Sequence, residues 1–86
     1  MSKPRKTPIG NRNIVGVKVA KLRKEKKIKQ KDLVAMLQSE GMDISETTMS
    51  RLEGQTRLVQ DFEIPILAKV LGVRVEWLLE QDSIEY

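Results

Sequence analysis

The sequence contains no cysteine and no histidine, and its 86 residues include only one tryptophan, one tyrosine and one phenylalanine. The first two absences exclude a thiolate or imidazole catalyst, a Cys/His zinc site and a disulfide framework. With so few aromatic side chains, the core must be built from Leu, Val, Ile and Met, which suits packed helices better than a sandwich of strands. A chain of this length, 40% hydrophobic, can bury one small core.

Long apolar runs are also missing. Because the basic N-terminal stretch is not followed by one, we expect neither a signal peptide nor a membrane span, and we predict a soluble, cytoplasmic protein. The acidic residues do not form paired carboxylates, and the sequence has no phosphate-binding loop or set of metal ligands. We therefore predict that the chain is not an enzyme and uses no cofactor or metal.

Positive charge is concentrated in the first third of the chain. Residues 1–31 hold twelve Lys or Arg and one acid, which gives +11, and residues 32–86 hold four Lys or Arg and eleven acids, which gives −7. The two segments sum to the net charge of +4. A basic block beside an acidic remainder predicts a polyanionic partner on one side, although a solvated lysine-rich surface would have the same composition.

The spacing of apolar residues predicts an all-α fold, a compact bundle of five short helices. Residues 1–13 have two prolines, a glycine and no apolar period, so we predict a flexible basic arm, then one domain over 14–80 and a tail over 81–86. The residues predicted to be buried on the successive helices are Val15, Val19 and Leu22; Leu33, Val34 and Leu37; Met49 and Leu52; Ile64, Leu67, Ala68 and Leu71; and Val75, Leu78 and Leu79.

Local signals predict where these helices begin and end. Gly41 and Gly72 are expected to end the second and fourth helices, because glycine readily takes a left-handed conformation. Asp43 or Ser45 can cap the third helix by accepting a hydrogen bond from a free backbone N–H. Pro65 stands early in the fourth helix and predicts a distorted first turn.

The third predicted helix has one short, polar face. Stepping by roughly 100° per residue, an arc of about 140° holds Glu46, Thr47, Ser50, Arg51 and Gly54. The opposite side is apolar or small. Such a division predicts a helix that packs on one side and can hydrogen-bond a partner on the other.

Three segments in register carry a resemblance to a known family: "VGVKVAKLRKEKKIKQKDLVAML", "ISETTMSRLEG" and "LAKVLGVRVEWLL". Together they resemble the Cro/repressor (Xre-type) helix-turn-helix family over about residues 14–79. Arg23, Gln30, Leu33, the run Met49–Leu52–Glu53 and the closing "LGVxxxWLL" carry it jointly, and no single piece is specific. The resemblance implies a lambda-repressor-like fold with the helix-turn-helix at helices two and three, the third lying in the major groove.

Site residues follow from the resemblance by position. It implies that Glu46, Thr47, Ser50 and Arg51 face the bases, and Arg51 is the best candidate for a bidentate contact to guanine. The predicted phosphate contacts are Lys27, Lys29, Gln30, Lys31, Gln55, Thr56 and Arg57. Lys3, Arg5 and Lys6 of the arm would wrap a groove. Lysines at the start of helix two would raise affinity without specifying sequence.

Other matching positions imply structure rather than contact. Arg23 and Glu53 match a salt bridge that ties helix one to helix three, which removes Glu53 from the contact surface. Trp77 has two open roles, in the core or in a dimer contact. Relative to the family, five extra residues lie between positions 37 and 44, and we predict a second helix one turn longer with re-entry at Asp43. A carboxylate at Glu46 also departs from the family, and it can accept from cytosine or repel wrong sequences.

The sequence thus predicts a sequence-specific, repressor-like transcriptional regulator that binds double-stranded DNA. We expect a homodimer on a near-palindromic operator, because one recognition helix reads too few bases for useful selectivity. Contacts between protomers would come from the last helix and tail, such as Trp77, Leu78 and Ile84. The alternative is a protein-interaction module on the same fold, an antitoxin or adaptor, whose partner would meet Glu46 and the long turn.

Overall fold

The structure, a computed structural model, describes residues 12–80 and contains no strand in that range. Its helices are α1 (Gly16–Glu25), α2 (Gln30–Ser39), α3 (Glu46–Glu53), α4 (Glu63–Leu71) and α5 (Val75–Leu79). The predicted all-α bundle of five short helices is confirmed. None of the described helices is long and apolar enough to cross a bilayer. The predictions for residues 1–11 and 81–86, including Lys3, Arg5, Lys6 and Ile84, lie outside the described residues.

One core of aliphatic and methionine side chains holds the helices together. Helix α3 packs against α1 and α2, and α4 packs against α1, α2 and α5. The buried residues are Val15, Val19, Leu33, Val34, Leu37, Met42, Ile44, Met49, Leu52, Leu67, Ala68, Leu71 and Leu78. Leu22, Ile64 and Val75 are partly buried against them. The predicted burial of Leu79 is wrong, since this side chain is 43% exposed and Leu78 is the one residue of α5 that is fully buried.

Four helices end with a residue in the left-handed conformation. At the end of α2, the N–H of Gly41 bonds the carbonyl of Gln38 and the N–H of Met42 bonds that of Leu37, each at 3.0 Å. This pair of bonds is the Schellman arrangement, which satisfies carbonyls left free at a helix end. The same pattern follows α1, α3 and α4, and the left-handed residues are Lys27, Gly41, Gln55 and Gly72. The predicted stops at Gly41 and Gly72 are confirmed.

The connection between α2 and α3 contributes to the core. Met42 and Ile44 are only 2% and 4% exposed, and Gln38 donates from Nε2 to the Ile44 carbonyl over 2.7 Å. These anchored residues form no helix, so the predicted re-entry at Asp43 is wrong and α3 begins at Glu46, after Ser45. The extra residues of this connection therefore fill space between the two helices rather than lengthen α2 beyond Ser39.

Ser45 caps the N-terminus of α3. Its Oγ accepts from the N–H of Thr48, and the Thr48 hydroxyl oxygen accepts from the N–H of Ser45 at 2.7 Å. Two otherwise free N–H groups are satisfied reciprocally, which is a capping box. Of the two capping residues that the sequence allowed, the structure uses Ser45.

The start of the domain is bonded to the end of α3. The N–H of Arg12 donates to the carbonyl of Gln55 over 2.8 Å, and Asn13 donates from Nδ2 to the carbonyl of Leu52 over 3.1 Å. At Gly16 the backbones approach so closely that a Cβ would lie 2.1 Å from the Leu52 oxygen. Residues 12–13, which the sequence assigned to the flexible arm, therefore belong to the folded domain.

Lys18 joins α1 to the end of α5. The side chain is buried, and its Nζ donates to the carbonyls of Trp77, over 2.7 Å, and of Glu80. The same ammonium lies 4.7 Å from the centre of the Trp77 ring, a cation–π contact. Cations are favourable at the C-terminal carbonyls of a helix, so Lys18 caps the end of α5. Its charge is buried there and is not part of the exposed basic surface.

Candidate nucleic-acid interface

Helix α3 presents a polar face to solvent. Met49 and Leu52 are fully buried on its inner side, and this packing turns Glu46, Thr47, Ser50 and Arg51 outward, where all four are exposed. Within residues 12–80, the side chains of Glu46, Thr47 and Arg51 have no hydrogen bond or ion pair. On this face Glu46 can only accept hydrogen bonds from a partner, Arg51 can only donate them, and the Thr47 hydroxyl can do either.

Ser50 differs from its neighbours because it is already hydrogen-bonded. Its Oγ donates to Oε1 of Gln30 over 3.0 Å, and Nε2 of Gln30 donates to Oε1 of Glu53 over 3.2 Å. Gln30 opens α2, so these bonds place the start of α2 directly beside the exposed face of α3. An amide carries two N–H donors, and Gln30 keeps one beyond the bond to Glu53. Its phosphate contact stays a prediction.

Beneath this face, Arg23 and Glu53 form a nearly buried ion pair. The guanidinium donates to the two carboxylate oxygens over 2.7 and 3.2 Å, and Nη1 donates to the carbonyl of Ile28 over 2.9 Å. The two side chains are only 13% and 9% exposed. A two-point arginine–carboxylate contact fixes orientation as well as distance. It ties α1, the α1–α2 loop and α3 into one unit.

The α1–α2 loop and its flanks carry exposed lysines. The predicted phosphate contacts Lys27, Lys29 and Lys31 are all exposed, and so are Lys21, Lys24 and Lys26, which the sequence did not single out. No ion pair to another residue of the range 12–80 neutralises any of them. Since Lys29 and Lys31 flank Gln30, this positive charge adjoins the polar face of α3.

Two predicted phosphate contacts after α3 do not fit the structure. Gln55 is 3% exposed, its Nε2 donates to the carbonyl of Asn13, and its N–H is used in the α3 cap. Arg57 pairs with the carboxylate of Glu63 over 3.0 and 3.1 Å. Both side chains are held by residues outside α3, Gln55 by Asn13 and Arg57 by Glu63. Thr56 remains exposed, and its phosphate contact stays a prediction.

Glu63 is a buried carboxylate that the helical periodicity did not identify. It is 4% exposed and receives hydrogen bonds from Arg57 and from the N–H of Gln60. Burial raises the pKa of Glu63, but the bonds from Arg57 and Gln60 and the charge of Arg57 outweigh it, so the pKa lies below its ordinary value. The pair links the loop after α3 to the start of α4.

The residues predicted to join two protomers are only partly available. Leu78 is fully buried in its own domain and is not available at the surface for the predicted dimer contact, whereas Trp77 is 36% exposed. Trp77 lies outside the core, since one side of it meets Lys18 and the rest faces solvent, and its dimer contact stays a prediction. Among the large apolar side chains of residues 12–80, the two most exposed are those of Leu58 and Phe62, at 67% and 60%.

Compared with protein-family models, curated proteins and solved structures, the chain finds no match. Among the described residues, no group of three or more His, Cys, Asp or Glu side chains is placed to hold a metal ion. The chemistry of the exposed surfaces is therefore the guide to function, and the α3 face with its adjoining lysines is the most distinctive of them.

Proposed function

We propose that this chain is a sequence-specific DNA-binding transcriptional regulator of a repressor-like kind, located in the cytoplasm. In this proposal α2 and α3 act as a helix-turn-helix, α3 enters the major groove, and a homodimer binds a near-palindromic operator. The chain has no catalytic role and needs no cofactor. Lys3, Arg5 and Lys6 precede the domain and would add contacts along a groove.

The observation that carries the proposal is the union of two surfaces. One is the exposed polar face of α3, and the other is the run of exposed lysines around the start of α2, which Gln30 joins to it. The major groove admits a helix and shows a distinct donor and acceptor pattern at each base pair. Phosphates border the groove on both sides, so a reading helix flanked by lysines matches both chemical features of DNA.

A selection from random double-stranded DNA tests the proposal directly. We expect enrichment of a short motif, repeated with two-fold symmetry, and affinity that falls as salt is raised. Sizing of the protein alone and on the selected DNA gives the stoichiometry. Binding without enrichment of any sequence would reject the specific-reader proposal, and two copies per selected site would support the dimer.

Arg51→Ala is the sharpest single variant for this interface. The exposed guanidinium has no partner within the described domain, so its removal should leave the fold intact and weaken operator binding by about 1–3 kcal/mol. Arg74 supplies the matched control, because it is an exposed arginine at the start of α5, away from α3. Equal loss of binding in Arg74→Ala and Arg51→Ala would mean that only net charge matters.

A second candidate function is a protein-interaction module, an antitoxin or adaptor. The exposure of Leu58 and Phe62, two large apolar side chains in the loop before α4, favours it, since such residues often mark contacts between proteins. Replacing both Thr47 and Arg51 by alanine separates the two functions. DNA affinity should fall if α3 reads bases and stay constant if the main partner is a protein.

A further inference from the structure

A chain of hydrogen bonds runs from Arg23 through Glu53 and Gln30 to Ser50. The chemistry of each group in the chain fixes which partner donates and which accepts. A guanidinium can only donate, so Glu53 accepts from Arg23 with both oxygens. A carboxylate can only accept, so the group of Gln30 that faces Glu53 must be the Nε2 amino group. The Oε1 of Gln30 is then the atom that faces Ser50, and an amide oxygen accepts.

The hydroxyl of Ser50 must therefore donate its only proton to Gln30. A serine hydroxyl has one O–H donor and two acceptor lone pairs, and it normally chooses between donating and accepting by rotating about the Cβ–Oγ bond. Here rotation toward the groove would leave the Gln30 oxygen without its donor. We infer that Ser50 faces DNA as a hydrogen-bond acceptor only, because Arg23, Glu53 and Gln30 orient its proton inward.

This polarity selects a class of base. In the major groove adenine and cytosine each present an amino group, whereas guanine and thymine present only acceptors at the corresponding position, O6 and O4. An acceptor-only Ser50 can bond adenine N6 or cytosine N4, and it meets a lone pair at guanine or thymine. Ser50 should thus distinguish the bases that carry an amino group, A and C, from those that carry a keto oxygen, G and T. It should not distinguish purines from pyrimidines.

Glu46 belongs to the same row. It stands four residues before Ser50, on the same side of α3, and its carboxylate also only accepts. The two side chains together offer acceptors along one edge of the helix, while Arg51 offers donors that suit guanine. The operator half-site should therefore place adenine or cytosine under Glu46 and Ser50. A negative charge at Glu46 is tolerated because it faces base amino groups.

The inference rests on the proposed DNA-binding function, and selection from random DNA can separate the two. The wild-type protein and Ser50→Ala are selected in parallel, and the motif position whose preference disappears in Ser50→Ala is the one under Ser50. On one strand of that position the wild type should prefer A or C over G or T by roughly fivefold, the ratio that one net hydrogen bond of about 1 kcal/mol gives. Replacing the adenine of that pair by purine, or the cytosine by 2-pyrimidinone, removes the amino group alone and should cost the same factor, which identifies the contacted strand. The control is Ser39→Ala, which changes an exposed serine at the end of α2 whose Oγ donates to the carbonyl of Met36, and it should reproduce the wild-type motif.

Gln30→Met then tests the mechanism itself. Methionine keeps most of the length of glutamine but has no side-chain oxygen, only a weakly accepting sulfur, so the Ser50 proton is released and the position should come to accept G and T as well. The remaining positions of the motif should keep their preferences, which shows that α3 is still docked. Circular dichroism and a thermal melt confirm that each variant is folded, and Ser50→Ala carries the base-class test without Gln30→Met.

The outcomes are distinct. If the wild type enriches no motif, the proposed function itself fails. If a motif appears but the Ser50 position favours purines over pyrimidines, or if removing the base amino group there leaves the affinity unchanged, then Ser50 does not accept from that group and the inference is overturned. It is also overturned if folded Gln30→Met leaves the amino-base preference unchanged. A preference for A and C that is lost in both variants supports it.

Discussion

At the level of single residues, the buried pair of Glu63 and Arg57 is the clearest source of pH dependence. We predict that Glu63→Gln lowers the free energy of unfolding by about 2–3 kcal/mol at neutral pH, because an amide cannot replace a charge-assisted bond to arginine. The pKa of Glu63 is lowered on folding, so its stabilisation is fully present above the ordinary value of 4.5 and is lost as pH falls through the folded-state pKa.

Urea unfolding of wild type and Glu63→Gln, repeated in steps downward from neutral pH, measures this effect. The difference between the two proteins should stay constant while Glu63 is ionised in both the folded and the unfolded state, and it should shrink below pH 4.5. Glu40 provides the control, since it pairs with Lys69 on the surface, and Glu40→Gln should cost less than about 1 kcal/mol. A pH-independent difference for Glu63→Gln would contradict the assignment.

At the level of secondary-structure elements, Lys27 stands out because it ends α1 in a left-handed conformation with φ of 58°. A side chain in this region costs about 1 kcal/mol that glycine avoids, and strained residues often coincide with functional sites. We predict that Lys27→Gly raises stability by about 1 kcal/mol and at the same time weakens DNA binding, since it removes one exposed lysine from the candidate interface. Thermal unfolding and a binding titration on the same samples measure the two effects.

The matched variant is Gln55→Gly, at the residue that ends α3 with φ of 62°. The same relief of backbone strain is available there, but the Gln55 side chain is buried and bonds the carbonyl of Asn13. Gln55→Gly should therefore lower stability. A rise in stability for both variants would mean that the Gln55 side chain contributes less than the backbone strain costs, and a fall for both would contradict the strain assigned to Lys27.

The sequence was informative about the elements and less so about polar residues inside them. Apart from Leu79, helical spacing identified the buried apolar residues of the five helices and the exposed side of α3, because apolar burial repeats with the turn of the helix. It could not identify Lys18 or Gln55, whose partners lie 59 and 42 residues away. Their burial depends on which carbonyls the folded chain brings near, and that is a tertiary property.

For the molecule as a whole, the uneven distribution of charge makes a prediction about salt. Replacing Lys27, Lys29 and Lys31 together by glutamine should reduce the slope of log affinity against log salt by about 2.7, since each phosphate contact contributes roughly 0.9. The loss should be nearly equal on operator and on random DNA, because lysine–phosphate contacts carry no sequence information.

Fluorescence anisotropy over a range of salt concentrations measures both slopes. Lys69→Gln is the control, since Lys69 lies on α4 and pairs with Glu40. It removes one positive charge from the molecule but should leave the slope unchanged. A triple variant that loses operator preference while keeping its salt slope would place the three lysines at the bases rather than at the phosphates.

The bond from Lys18 to the end of α5 has a consequence for the order of folding. It joins residues 59 positions apart, so it closes a loop that includes most of the described domain. Because the entropy cost of such a closure falls once the intervening helices have packed, we predict that this contact forms late on the folding pathway. Lys18→Met should then speed unfolding and leave the refolding rate nearly unchanged, which stopped-flow unfolding and refolding would measure.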